Sequence, residues 1–228
     1  MTVAAIVLAA GASTRMGASK PLLPWGETTL LRWELDQLLR SSVDQIVVVT
    51  GRHADDVRRS LGDGARYCVF NSRWTHGRAG SLARGAQALL ALLERGGMPG
   101  APDAPEAVVV LNVDQPTRYD IIDALVQELR DCGADIVQPE FQGKGGHPVV
   151  IAGTLLAELA EVQEETLGLR AVLERHPPHT LTMDNEPVVR IDLDTPDTLD
   201  EARRLLGVGR STGGGSDSEG SKGGAPPP

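Results

Sequence analysis

An α/β fold with a doubly wound, mostly parallel sheet in three layers is predicted by two features of the 228-residue sequence. Apolar runs of strand length alternate with amphipathic stretches of helical period, the signature of β-α-β-α units with helices on both sheet faces. One of those runs, residues 107–113 (AVVVLNV), is apolar almost throughout, as in a central parallel strand covered on both sides.

The elements follow in order. Residues 3–8 read as a first strand, which breaks into a loop of small residues, Ala9-Ala10-Gly11-Ala12-Ser13. Residues 46–50 (IVVVT) have a buried-strand pattern, 53–61 a short helix, and 66–70 a third strand. Residues 79–93 place Leu82, Ala86, Leu89, Leu90 and Leu93 on one helical side. The 107–113 strand is followed by a helix at 117–130. Beyond Cys132 the order loosens. Short strands at 135–138 and 148–151 flank a turn, Gly143-Lys144-Gly145-Gly146, and helices follow at 154–161 and 167–175. Residues 188–193 read as a last strand and 196–206 as a last helix, with Pro196 in a permitted first-turn position and Thr195 or Asp194 as cap. There is no internal repeat. Residues 1–207 are expected to form one domain. Residues 208–228, rich in Gly, Ser and Pro, bury too little surface to offset the entropy of ordering and are expected to be a disordered tail.

The formal net charge of −9 argues against a nucleic-acid partner, though a local basic loop still suffices for a mononucleotide. No leader-like segment and no run approaching 18 apolar residues is present, so a cytoplasmic protein without a membrane span is expected. The two cysteines, Cys68 and Cys132, are far apart and read as reduced core thiols. His53 and His76 show no zinc spacing.

The chemistry concentrates near the start. A strand ending in small residues bares backbone N–H groups, which cradle phosphates, and Arg15 and Lys20 follow within nine residues of Gly11. An ordinary turn with chance basic residues would look similar. The segment lacks both the P-loop and the G-x-G-x-x-G spacing. The chain uses nineteen arginines and three lysines, so a lysine at this loop suggests a compact ammonium beside phosphate. Asp114 ends the most apolar strand, where open sheets bind ligands, and suits Mg²⁺; as a helix N-cap it would look the same. Asp192 and Asp194 share a face if residues 188–193 form a strand, so that Asp192 could give the cation a second carboxylate while Asp194 caps the last helix. Both could equally be turn and cap residues.

Leu8, Ala9, Ala10, Gly11, Ser13, Arg15, Met16, Gly17, Lys20, Leu22 and Leu23 match the pattern L-A-[AG]-G-x-S-x-R-M-G-x-x-K-x-L-L. With NSRWTHGRAGSLARG, VDQP, GHPVVI and IDLDTPDTL in order over residues 3–206, the chain resembles the molybdenum cofactor cytidylyltransferase branch of the MobA-like nucleotidyltransferase family. The resemblance implies a Rossmann-like fold with a nucleotide half at about 1–131 and an acceptor half at about 132–207. It implies cytidylyl transfer from CTP to molybdenum-loaded molybdopterin with Mg²⁺ as cofactor, the product passing to a molybdenum hydroxylase. Leu8 to Gly11, Ser13, Arg15, Lys20 and Ser81 would bind the nucleotide, Ser81 near the base. Lys20, Arg15 and Asp114 would be catalytic, Asp114 and Asp192 would hold the metal, and His147 and Gly146 would meet the acceptor. The A-A-G form, where related guanylyltransferases carry L-A-G-G, points to CTP. Alternatives are a guanylyltransferase, a sugar- or alditol-phosphate nucleotidyltransferase, or a non-catalytic cofactor carrier.

Overall fold

The computed structural model describes residues 2–11, 19–96 and 104–209. Its main sheet contains β1 (Val3–Ala9), β4 (Gln45–Thr50), β5 (Cys68–Phe70), β6 (Ala107–Asn112), β7 (Ile136–Phe141), β8 (Lys144–Gly145), β9 (Val149–Ala152) and β10 (His179–Thr182). A two-stranded hairpin, β2 (Pro24–Trp25) and β3 (Thr28–Thr29), stands apart. The strand order is β10-β7-β9-β6-β1-β4-β5, with β8 paired to β7. β1 pairs in parallel with both β4 and β6, whereas β9 runs antiparallel between β6 and β7. The sheet is therefore mostly parallel but mixed.

Alternation along each strand builds two cores. Val3, Ala5 and Val7 of β1, Ile46 and Val48 of β4, and Val109 and Leu111 of β6 face one side. They meet α1 (Leu30–Arg40), α2 (Ala54–Leu61), α4 (Tyr119–Cys132) and α7 (Pro196–Leu205). Ala4, Ile6, Val47, Val49, Val108 and Val110 face the other side, covered by α3 (Arg78–Gly96), α5 (Leu156–Leu159) and α6 (Leu169–Arg175). No helix among the described residues is long and apolar enough to cross a membrane.

Several sequence expectations are corrected. α1 was not expected: its inward face carries Glu34 and Gln37 between Leu30, Leu31, Leu35 and Leu38, which breaks the apolar stripe. Residues 188–193 are no strand. Pro187–Arg190 is a 3₁₀ turn, and the apolar character of Val188, Val189, Ile191 and Leu193 reflects burial in the core rather than pairing in a ladder. β10 escaped notice because it is short and mostly exposed, as an edge strand is. β5 starts at Cys68, after a 3₁₀ stretch at Gly62–Tyr67. The thiols are not both in the core: Cys68 is half-buried and Cys132 is exposed. Val208, expected in the tail, packs against the core and donates its N–H to the Arg203 carbonyl; residues 210–228 lie outside the described residues.

Candidate active site

The chain crosses from the β4–β5 side of β1 to β6 through α3, so the sheet's switch point lies between the carboxyl ends of β1 and β6, where Leu8 is in register with Asn112. A cavity of about 380 Å³ opens there. Leu8, Ala10, Gly11, Lys20, Ser81 and Asp114 line it, so six of the sequence-predicted residues converge. Ala9 is buried behind them in the core. Ser13 and Arg15 lie outside the described residues.

Each wall has a local cause. Beyond β4, Gly51 lets the loop after β1 come close: a Cβ there would stand 2.4 Å from the Ala10 carbonyl oxygen and 2.8 Å from Trp74 Cβ. Lys20 opens a 3₁₀ turn, Lys20–Leu22, whose proline suits the first turn. The β2–β3 hairpin, with Trp25 buried, ties that turn to α1. α1 is capped by Thr29, whose hydroxyl accepts from the Arg32 N–H.

Lys20 Nζ donates to Asp114 Oδ2 at 2.9 Å and to Asp194 Oδ1 at 2.8 Å. Arg78, in the first turn of α3, donates to the same Asp114 oxygen at 3.3 Å. Lys20 and Asp114 are 8% and 7% exposed, so these charges interact with little solvent screening. Burial pulls the Lys20 pKa down, but the hydrogen bonds the ammonium donates to Asp194 and Asp114 outweigh it and hold the pKa above the ordinary lysine value.

Two ambiguities of the sequence are resolved by the caps. α4 starts at Tyr119 with Arg118 as N-cap, so Asp114 does not cap it. α7 is capped by Thr195 in a capping box with Thr198, and Asp194 faces Lys20 instead. Asp192 accepts from Gln115 Nε2 at 2.6 Å, and Gln115 accepts in turn from Asn112. Since residues 191–194 are not in a strand, the face-sharing argument for the two aspartates does not apply. The carboxylate that shares the Lys20 ammonium with Asp114 is that of Asp194.

Ser81 lies one residue beyond the helix's first three and is buried. Its hydroxyl accepts from Asn71 Nδ2 at 3.0 Å, which leaves the hydroxyl proton to donate into the cavity. On the other side, Gln142 and Gly143 both take positive φ in the two-residue turn between β7 and β8. The chain returns through Gly146, where a Cβ would meet the Val189 carbonyl oxygen at 2.3 Å, and the His147 N–H donates to that oxygen at 2.8 Å. His147 does not line the cavity but is within electrostatic reach of Asp192, Arg190, Asp114 and Arg78. Burial lowers its pKa despite the Asp192 carboxylate, so the imidazole is neutral at pH 7.

Sequence reasoning did not single out Arg78, Asn71 or Trp74 as site residues, although all three sit in the NSRWTHGRAGSLARG stretch. It also missed Glu34, whose two carboxylate oxygens are buried with no hydrogen-bond partner. Burial, and then the Asp114 charge, push its pKa well above the usual carboxylate range. The folded state therefore retains a proton that the unfolded chain releases, and stability should fall as pH rises above the ordinary glutamate pKa. Glu34→Gln keeps the shape without the acid. Its melting temperature should stay near that of the parent at about pH 5 and exceed it by a growing margin toward about pH 8. A difference that does not change with pH would contradict a protonated Glu34.

Open parallel sheets bind ligands at a switch point, and cations beside carboxylates suit a polyanion carried with a metal ion. Such a site suits the substrates of enzymes that transfer phosphate-linked groups. The chain belongs to the MobA-like NTP transferase domain family, whose model matches residues 5–180. It is 24% identical over 199 residues to the molybdenum cofactor cytidylyltransferase of Escherichia coli K12, covering 87% of this chain and 94% of that one. The crystal structure of an Rv0371c homologue from Mycobacterium sp. strain JC1 superposes with a TM-score of 0.68 at 28% identity, covering 90% of this chain and 96% of that one. Rv0371c of Mycobacterium tuberculosis in complex with manganese gives 0.63 at 25%, covering 89% and 98%.

Proposed function

We propose that this nucleotidyltransferase moves a cytidylyl group from CTP to the phosphate of molybdenum-loaded molybdopterin, giving molybdopterin cytosine dinucleotide and pyrophosphate. The observation that carries the reading is the Lys20 ammonium held between Asp114 and Asp194 beside the small-residue loop. The likeness to the E. coli cytidylyltransferase supports the base and the acceptor, and the Ala9-Ala10-Gly11 form of the loop supports the base.

An acceptor phosphate oxygen attacks the α-phosphorus in line. The new P–O bond forms as the bond to pyrophosphate breaks, and no covalent enzyme intermediate is needed. N–H groups of Ala10 to Ser13, with Arg15, hold the β- and γ-phosphates. Lys20 shifts its charge from the carboxylates to the α-phosphate, where negative charge grows. Arg78, already on Asp114, adds a second cation at the same end of the cavity. Ser81 donates its proton to an acceptor on the cytosine edge. Gly146 and the neutral His147 meet the pterin-bearing acceptor, on the side built by residues 132–207, while residues 1–131 carry the nucleotide.

The donor set fits a hard divalent cation such as Mg²⁺, since two carboxylate oxygens already converge on one positive charge. Asp114 would hold the ion with Asp194, or with Asp192 after a turn of the Asp192-Leu193-Asp194 segment. Bound there, Mg²⁺ neutralises triphosphate charge.

With molybdenum-loaded cofactor as acceptor, CTP should exceed GTP at least about tenfold in kcat/KM, a difference of about 1.4 kcal/mol. Pyrophosphate release with each NTP in turn is the measurement. Equal or preferred use of GTP would overturn the cytidylyl assignment and leave the family alone.

A further inference from the structure

Away from the cleft, α4 and the edge strand β10 bring together a second set of metal-ligating groups. Glu128 and Cys132 sit four residues apart on α4 and so share a helix face. His179 is the first residue of β10, in register with Val137 of β7. One ligand atom from each of the three lies within 4.8 Å of the other two, the one grouping of this kind among the described residues. His179 Nε2 is 2.7 Å from Glu128 Oε1.

We propose that Glu128, Cys132 and His179 form a site for a divalent transition metal, zinc foremost, that fastens β10 to the end of α4. The donor set is one thiolate, one imidazole and one carboxylate. That mixture of soft and borderline ligands suits Zn²⁺ or Co²⁺ and not Mg²⁺, which asks for oxygen. Two of the three ligands are anionic when bound, so the site neutralises the ion's charge. Cys132 is the last residue of α4, where the helix end carries partial negative charge and a cation is favoured. The Ala134 N–H points at Cys132 Sγ at 3.5 Å, a contact that helps a thiolate. Tetrahedral bonds of about 2.0–2.3 Å need ligand atoms roughly 3.3–3.7 Å apart. The Glu128–His179 hydrogen bond must therefore open by a little under 1 Å, and the ion replaces the proton between them. Three protein ligands leave a fourth position for water. All three side chains are at least partly accessible, so the ion can enter from solvent.

The test is a Co²⁺ titration of the reduced full-length chain, read by absorption. One equivalent should give visible d–d bands of tetrahedral intensity and a near-ultraviolet thiolate-to-cobalt band. Zn²⁺ should bleach both, and millimolar Mg²⁺ should not. Cys132→Ala should abolish the thiolate band, and Cys68→Ala should keep it. Loss of outer-shell groups alone costs about 10–100-fold in affinity, so His179→Ala or Glu128→Gln should raise half-saturation by at least about tenfold. Zn²⁺ should raise the melting temperature of the parent and not of Cys132→Ala, a readout independent of transferase activity. No thiolate band at excess Co²⁺, or a band that survives Cys132→Ala, would overturn the site.

Discussion

Lys20→Ala is expected to lower kcat on the order of 10²–10³-fold, about 2.7–4 kcal/mol, with a much smaller rise in KM for CTP. The argument is differential binding. In the free enzyme the ammonium already has two carboxylate partners, so binding substrate exchanges one set of anions for another and gains little in the ground state. As the α-phosphate gains charge and pyrophosphate departs, the same ammonium gains more from phosphate than it gives up. Its effect therefore falls on rate. Lys20→Arg should recover little, because a planar fork does not fit where a compact ammonium bridges Asp114 and Asp194 from a position 8% exposed. Removing the ammonium leaves Asp114 with Arg78 as partner, so the fold should persist; far-ultraviolet circular dichroism checks this. Arg15→Ala should do the reverse of Lys20→Ala, raising KM more than it lowers kcat, if Arg15 grips the outer phosphates throughout. A Lys20→Ala enzyme altered in KM alone would make the lysine a binding residue.

What could be read from the chain divides along physical lines. The strands at the sheet's centre, β1, β4 and β6, are covered on both faces, and their continuous apolar runs say so directly. The small-residue loop and Lys20 stood out because bare backbone and a cation lie close together in sequence, and Ala10, Gly11 and Lys20 line one cavity. α1 was not, because Glu34 and Gln37 point inward and interrupt its stripe. β10 was not, because an exposed edge strand of four residues carries no apolar signal. The partners of Asp114 were illegible for another reason. Lys20 lies 94 residues away from it and Asp194 lies 174 from Lys20, so only the fold makes them neighbours. Period-two reasoning put Asp192 and Asp194 on one face because it took an apolar segment for a strand, and Asp194 was set aside as the cap of the last helix. The segment is apolar because Ile191 and Leu193 fill the core, while the Leu193 N–H is anchored to the Asp114 carbonyl at 2.8 Å. That bond, with those from Gln115 to Asp192 and from Lys20 to Asp194, holds the 192–194 segment at the cleft.

The same anchoring ranks the carboxylates. Asp114→Asn should cut turnover roughly a hundredfold or more and raise the Mg²⁺ concentration needed for half-maximal rate. The fold should survive: Asn is isosteric, the backbone bond to Leu193 remains, and α4 relies on neither, since Arg118 occupies its N-cap. Asn also retains an oxygen that can accept from Lys20, so what it removes is chiefly one negative charge at a position 7% exposed, where charge is poorly replaced by solvent. Asp194→Asn should follow with a smaller loss, because its side chain is 47% exposed and water can take over part of its work. Asp192→Asn should cost least, as its Oδ1 accepts from Gln115 and touches the cleft only through that amide. Steady-state kcat and the Mg²⁺ half-saturation of the three variants measure the order. Full activity in Asp114→Asn would reduce Asp114 to an anchor for Lys20. A larger loss in Asp192→Asn than in Asp194→Asn would mean that the 192–194 turn rearranges when nucleotide binds, with Asp192 and not Asp194 completing the pair around the cation.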